Sequence, residues 1–118
     1  MDLFCEIASG NINSYTIYED DIVKVFLDIN PKSNGHTLII PKKHYLDIND
    51  IDIDTYIHIF NTALRIKKLL EEKLNIDGLT LIQNNGDCEE VKHYHLHLIP
   101  YYKENKIISV DEIYNILK

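Results

Sequence analysis

The chain has 118 residues, 45% of them hydrophobic and 26% charged, with a formal net charge of −7 and a sequence pI near 5.2. That length fits one domain, residues 1–118, whose thin core a partner subunit would help to bury. The acidic balance argues against a partner such as a long nucleic acid, whose phosphates need clustered Lys and Arg. A small anion remains open, because backbone amides, helix N-termini and histidines hold one without a basic surface.

The two cysteines, Cys5 and Cys88, are too few for a disulfide framework and point to free thiols in a reducing compartment. The opening "MDLFCEIASG" lacks the basic and apolar regions of a secretory leader. No apolar run approaches the roughly 18–20 residues of a membrane helix. The expectation is a soluble, cytoplasmic protein with no membrane contact.

In chain order, "DLFCEIASG" reads as a short helix ending at Gly10. "SYTIYED" and "DIVKVFLDIN" are rich in β-branched and aromatic residues, with Asp20-Asp21 as the hairpin turn between two strands. "NPKSNG" is turn chemistry, and "HTLIIP" is a short apolar strand closed by Pro41. A long helix follows, capped by Asp50 or Asp52 and stopped by Gly78, with Asn75 nearby. Its apolar residues Ile53, Tyr56, Ile57, Phe60, Ala63, Leu64, Leu70 and Leu74 recur at helical spacing and are expected to form one buried stripe, opposite Arg65, Lys68 and Glu72. "GLTLIQNNG" is a strand running into a turn at Asn85-Gly86, "HYHLHLIPYY" is another strand, and "SVDEIYNILK" opens with a capping box from Ser109 to Glu112. The order is strands, one long helix, then strands, with short helices at both ends. It favours an α+β fold with an antiparallel meander sheet. No glycine-rich phosphate loop follows a strand.

The chemistry concentrates in "VKHYHLHLIP", where His93, His95 and His97 alternate with Tyr94, Leu96 and Leu98. On a strand the three imidazoles share one face, spaced roughly 6.5–7 Å apart, and the other three residues face the core. Such a row suits a metal, since alternate histidines supply two ligands to Zn²⁺. It also suits catalysis. Neighbouring rings disfavour each other's charged form, and a neutral ring oriented by a hydrogen bond at its other nitrogen is a competent nucleophile. His95, with a neighbour on each side, is the candidate. Spacing does not separate the two readings.

The run from His93 to Ile99 fits His-φ-His-φ-His-φ-φ, with φ apolar, and resembles the signature of the histidine triad superfamily. "VFLDINPKSNGHTLIIPKKHYLDI", "LIQNNG" and "FCEIASG" are similar to further segments of that family, so the likeness runs in order over residues 3–101 and is greatest to its bacterial Hint-like branch. The resemblance implies a homodimer of the HIT fold that binds a purine nucleotide or nucleotide conjugate. It implies that His95 attacks the α-phosphorus, that a nucleotidyl-histidine forms, and that water releases a nucleoside monophosphate from a phosphoramidate or adenylyl conjugate.

By the same resemblance, His97 bonds a phosphate oxygen, His93 orients the nucleophile from behind and His36 supports the site from the neighbouring strand. Asn84 contacts phosphate, Asp28 the ribose hydroxyls, and Phe26, Leu27 and Ile29 line the base pocket. A diadenosine polyphosphate hydrolase using the same His95 chemistry, and a nucleotide-binding regulator with little turnover, are the alternatives.

The chain departs from the pattern twice. The loop "DCEEVK" before the triad is about two residues short and lacks the family's Ser or Thr, with Glu90 at roughly that place. Many bacterial members begin Cys-x-x-Cys and bind Zn²⁺ with two histidines; this chain keeps Cys5 and carries Asp2 three residues earlier. No cofactor is required by the chemistry, and a structural zinc site would draw on Cys5, His44, His93 and Asp2.

Overall fold

The computed structural model describes residues 2–86, 91–104 and 106–118. Glu90 and Cys88 therefore lie outside the described residues. The first helix, α1 (Leu3–Ser9), starts where the Asp2 carboxylate accepts the Cys5 N–H at 2.7 Å, and it ends at Gly10 with a left-handed φ of 86°.

Strands β1 (Thr16–Glu19) and β2 (Val23–Leu27) form a hairpin whose turn is held by Asp20. One oxygen of its carboxylate accepts the N–H groups of Ile22 and Val23, at 2.8 and 2.9 Å. A loop then leads to β3 (Thr37–Pro41). Gly35 in that loop has φ 86°, and a Cβ there would lie 2.7 Å from Leu74 Cδ1. Only glycine lets the loop lie so close to the following helix while keeping this backbone.

That helix, α2 (Ile53–Leu74), is capped by Asp52, which accepts from the Thr55 N–H. It ends at Asn75, left-handed at φ 51°, and not at Gly78, which instead opens β4 (Gly78–Ile82). Asn tolerates that conformation through its short polar side chain. Strand β5 (Leu96–Tyr101) follows, and α3 (Val110–Leu117) closes the chain with Ser109 as its N-cap.

All neighbouring strands pair antiparallel, in the order β1-β2-β3-β5-β4. The first three form a meander; α2 then carries the chain across, so that β5 inserts between β3 and the edge strand β4. Side-chain alternation sorts the two faces. Val23, Val25, Leu27, Ile39 and Leu98 pack against Ile59, Ala63, Ile66 and Leu70 of α2 and Ile113 and Leu117 of α3. Phe26, Leu38 and Ile40 point the other way and meet Phe4 and Ile7 of α1.

The expected buried stripe on α2 is corrected in part. Ala63 and Leu70 are buried, but Ile53, Tyr56, Ile57, Phe60 and Leu64 are exposed, and the core face is Ile59, Thr62, Ala63, Ile66 and Leu70. The helix is apolar on two faces, and periodicity alone cannot say which of them the sheet takes.

The histidine row also departs from the expectation. The strand begins only at Leu96, so His97 alone of the three lies on it. Upstream, the His93 N–H turns back to the Val91 carbonyl at 2.8 Å, and the Tyr94 N–H reaches the Tyr45 carbonyl at 2.7 Å. These local bonds replace a ladder and bury His93, Tyr94 and His95 together. Tyr94 and Leu98 do face the main core, with Leu96 packed against it.

Candidate active site

Register places the site. Phe26 pairs with Leu38 and Leu38 with His97, so one row across three strands forms the floor of an open cleft of about 590 Å³. That volume suits a small-molecule ligand. His95 stands beside His97, with ring centroids 4.9 Å apart, and both line the cleft. Asp28, Ile29, His36 and Asn84 line it too, as do Phe26 and Leu27 from the end of β2. Leu27 belongs mainly to the α2 core. His93 does not line the cleft; it sits behind, fully buried.

Backbone groups select the tautomer of each ring in its neutral form, because a carbonyl only accepts and an amide only donates. His95 Nδ1 lies 2.7 Å from the His93 carbonyl. Nδ1 must therefore carry the proton, which leaves a lone pair on Nε2. The Lys32 N–H donates to His36 Nδ1 at 3.1 Å, so the neutral His36 ring carries its proton on Nε2. That proton points at His97 Nδ1, 3.0 Å away, with an Asp28 oxygen at 3.6 Å. His97 accepts at Nδ1 and so presents an Nε2–H. One backbone amide thus makes His97 a donor, and one backbone carbonyl makes His95 a base or nucleophile.

Burial disfavours the charged form of three of these rings, His97, His36 and His93. Burial pushes the His97 pKa down, with further lowering from His95 and His36, to about 4. Burial also lowers His36, against the opposing charge of Asp28. Burial lowers His93 as well, although its bond to the Pro41 carbonyl works the other way. Asp28 has two tasks: Oδ1 accepts the Asn30 N–H at 2.8 Å, and Oδ2 faces His36.

A second cluster adjoins the first. Cys5 Sγ lies 3.2 Å from His44 Nδ1, 3.3 Å from His93 Nδ1 and 3.5 Å from Asp2 Oδ2. Asp2 in turn lies 3.0 Å from His44 Nδ1 and 3.3 Å from His93 Nδ1. Zinc bonded tetrahedrally to S, N and O at about 2.0–2.3 Å needs donor separations of roughly 3.3–3.6 Å. These four residues come close to that. His93 Nε2 lies 2.9 Å from the Pro41 carbonyl, so its proton is spent there and Nδ1 turns a lone pair to the cluster. The residues fit a metal ion. As a free thiol, Cys5 is raised in pKa by burial and by Asp2, which disfavours the reactive thiolate; a bound cation would oppose that shift.

Sequence reasoning overlooked the wall of the cleft formed by α1 and the segment after it: Leu3, Phe4, Ile7 and Ile12. The Phe4 ring lies edge-on to His95, centroids 4.7 Å apart. The apolar spacing of Phe4 and Ile7 was the available signal. It says that one helix face is buried, but not against what. Lys32, at the cleft mouth, carried no signal at all.

Comparison with known proteins agrees with the geometry. The HIT domain family model matches residues 9–104. A HIT-like protein of Methanocaldococcus jannaschii is 39% identical over 121 residues, spanning 98% of this chain and 92% of that protein. The adenosine 5'-monophosphoramidase of Saccharomyces cerevisiae is 39% identical over 110 residues, spanning 92% of this chain and 67% of the enzyme. The crystal structure of a Zn-bound histidine triad family protein from Mycobacterium smegmatis superposes with a TM-score of 0.90 at 33% identity, covering 98% of this chain and 89% of that one. With its histidine row, cleft and antiparallel sheet in place, the chain belongs to the HIT family.

Proposed function

We propose that the protein hydrolyses nucleoside phosphoramidates or adenylyl conjugates by covalent catalysis at His95. The observation that carries this reading is the fixed pair of tautomers: a lone pair on His95 Nε2 beside an N–H on His97 Nε2. His95 Nε2 bonds to the α-phosphorus as the bond from phosphorus to the leaving nitrogen breaks. The leaving amine takes its proton from cleft water. His97 donates to a phosphate oxygen, where charge builds in the transition state. Water then attacks the nucleotidyl-His95, its proton is lost to solvent, and the nucleoside monophosphate departs with His95 restored. The His93 carbonyl holds the imidazolium-like ring in place throughout. Asp28 and Asn84 would hold ribose and phosphate, and the apolar wall would take a purine base.

The same reading includes a homodimer. The outward face of α2 carries Ile53, Ile57, Phe60 and Leu64, with Phe60 58% exposed, and β4 is an edge strand with Leu81 exposed. A second copy covers both most simply, and a face of this kind marks an interface. It also includes a structural zinc ion held by Cys5, His44 and His93, which would cross-link α1 to the histidine row without touching the reacting atoms. No helix among the described residues is long and apolar enough to cross a membrane, and a free thiol at Cys5 fits a cytoplasmic setting.

Side-by-side turnover of an adenosine phosphoramidate and a diadenosine polyphosphate tests the function. The phosphoramidate is expected to be cleaved faster, with loss of both activities in His95→Asn. Tight AMP binding without turnover of either compound would leave a binding protein instead.

A further inference from the structure

Asp2, Cys5, His44 and His93 turn one ligand atom each toward a common point, all within 4.8 Å of one another. His93 Nδ1 has a lone pair, the Asp2 carboxylate 3.3 Å away has only lone pairs, and Cys5 offers a single S–H to three neighbours. Two acceptors facing each other at that distance repel unless a cation lies between them. Asp2 also holds the N-terminus of α1: Oδ1 accepts the Cys5 N–H and is the oxygen that faces His93, while Oδ2 faces Cys5 Sγ and His44 Nδ1.

The cluster touches His95 from two sides. Phe4, which adjoins Cys5 in the chain, packs against the His95 ring and forms part of the cleft wall. His93 holds the His95 proton with its carbonyl. The far end of α1 is already fixed: buried Lys24 donates to the Ile7 carbonyl at 2.9 Å. The near end depends on the cluster. A helix of seven residues does not persist on its own.

We infer that Asp2 is the fourth ligand of a one-thiolate zinc site, and that filling this site raises the affinity of the cleft for nucleotide. The ion fixes Cys5 and His93 together, so it sets the wall through Phe4 and the nucleophile through the His93 carbonyl. Coupling between two binding sites is reciprocal. Nucleotide must therefore tighten zinc by the factor that zinc tightens nucleotide. This inference rests on the nucleotide reading of the cleft.

The test measures AMP binding to metal-stripped and zinc-loaded protein, and zinc binding with and without saturating AMP. One zinc per chain is expected, with an AMP dissociation constant about tenfold lower when zinc is present and the same factor in the reverse experiment. Asp2→Asn keeps an N-cap acceptor, so α1 persists, while zinc affinity falls at least about tenfold. Asp2→Cys, with a second thiolate, retains both zinc and the coupling. Equal zinc affinity in wild type and Asp2→Asn would remove Asp2 from the site. AMP that binds equally well with and without zinc would overturn the coupling and leave the proposed activity standing. No AMP binding at any zinc level would overturn both.

Discussion

Under α2, the sheet presents Val23, Val25, Ile39 and Leu98 to Ile59, Ala63, Ile66 and Leu70, all of them aliphatic. One residue along the same strands, the opposite face presents Lys24, Phe26, Leu38 and His97, covered among the described residues by α1, Val91 and an open cleft. The strands are shared; only the alternation differs. One face carries stability with no chemistry in it, and the other carries chemistry over a thin apolar layer. Substitutions on the two faces should therefore fail in different ways.

The largest contrast is in turnover. His95→Asn should lower phosphoramidate cleavage on the order of 10⁴-fold or more, because a nucleophile cannot be replaced by its surroundings. Its thermal midpoint should stay close to wild type, and a parallel loss of folded protein would break the contrast. On the other face, Leu70→Ala should cost about 2–5 kcal/mol in denaturant unfolding. The folded fraction should keep its turnover per active site, as measured by active-site titration.

Phe60→Glu tests the outermost layer, the solvent face of α2. It should convert a dimer to a monomer by sedimentation or light scattering, while monomer stability moves by no more than about 0.5 kcal/mol. A wild-type protein that is already monomeric at high concentration would remove the proposed interface. A smaller effect is expected from Asp52→Ala, about 1 kcal/mol for the lost cap. This residue links the faces, since Asp52 also accepts from the Tyr45 hydroxyl, and the Tyr45 carbonyl holds the Tyr94 N–H between His93 and His95. The variant should thus lower turnover somewhat as well as stability.

The remaining contrast is in pH. His97 is neutral in the fold down to about 4, whereas an unfolded histidine takes a proton near 6.5. Between those values the unfolded chain binds more protons, so folding stability is complete above pH 6.5 and falls as pH drops toward 4. Burial lowers His36 in the same direction. His97→Gln should flatten this part of the stability profile; an unchanged profile would mean that the ring is not held neutral.

How much of this was legible depended on whether local chemistry or tertiary contact made the choice. The Asp20 hairpin and the Ser109 cap follow from side chains bonding backbone within three residues, and the Gly10 stop from a residue free to take a left-handed φ, and sequence shows them. The buried face of α2 was not legible, because both Ile53-Ile57-Phe60-Leu64 and Ile59-Ala63-Ile66-Leu70 read as apolar stripes. The position of the sheet distinguishes them. The histidine row was half legible. Alternation found His97 on its strand, but the backbone around His93 and His95 is set by the Tyr45 and Val91 carbonyls, which no pattern reveals. The cluster of Asp2, Cys5, His44 and His93 joins residues up to 91 positions apart, and came from resemblance rather than spacing.

The central claim is a covalent bond between His95 Nε2 and phosphorus, made possible by a proton fixed on Nδ1. Rapid quenching of the wild-type protein with an adenosine phosphoramidate, followed by peptide mass spectrometry under conditions that preserve phosphorus–nitrogen bonds, measures it directly. The account predicts one adenylyl group on the peptide bearing His95, formed and consumed at rates that support turnover. Turnover with no adenylylated peptide at any time, in protein shown to retain a synthetic adenylyl-histidine through the same work-up, or a label on another residue, would contradict it.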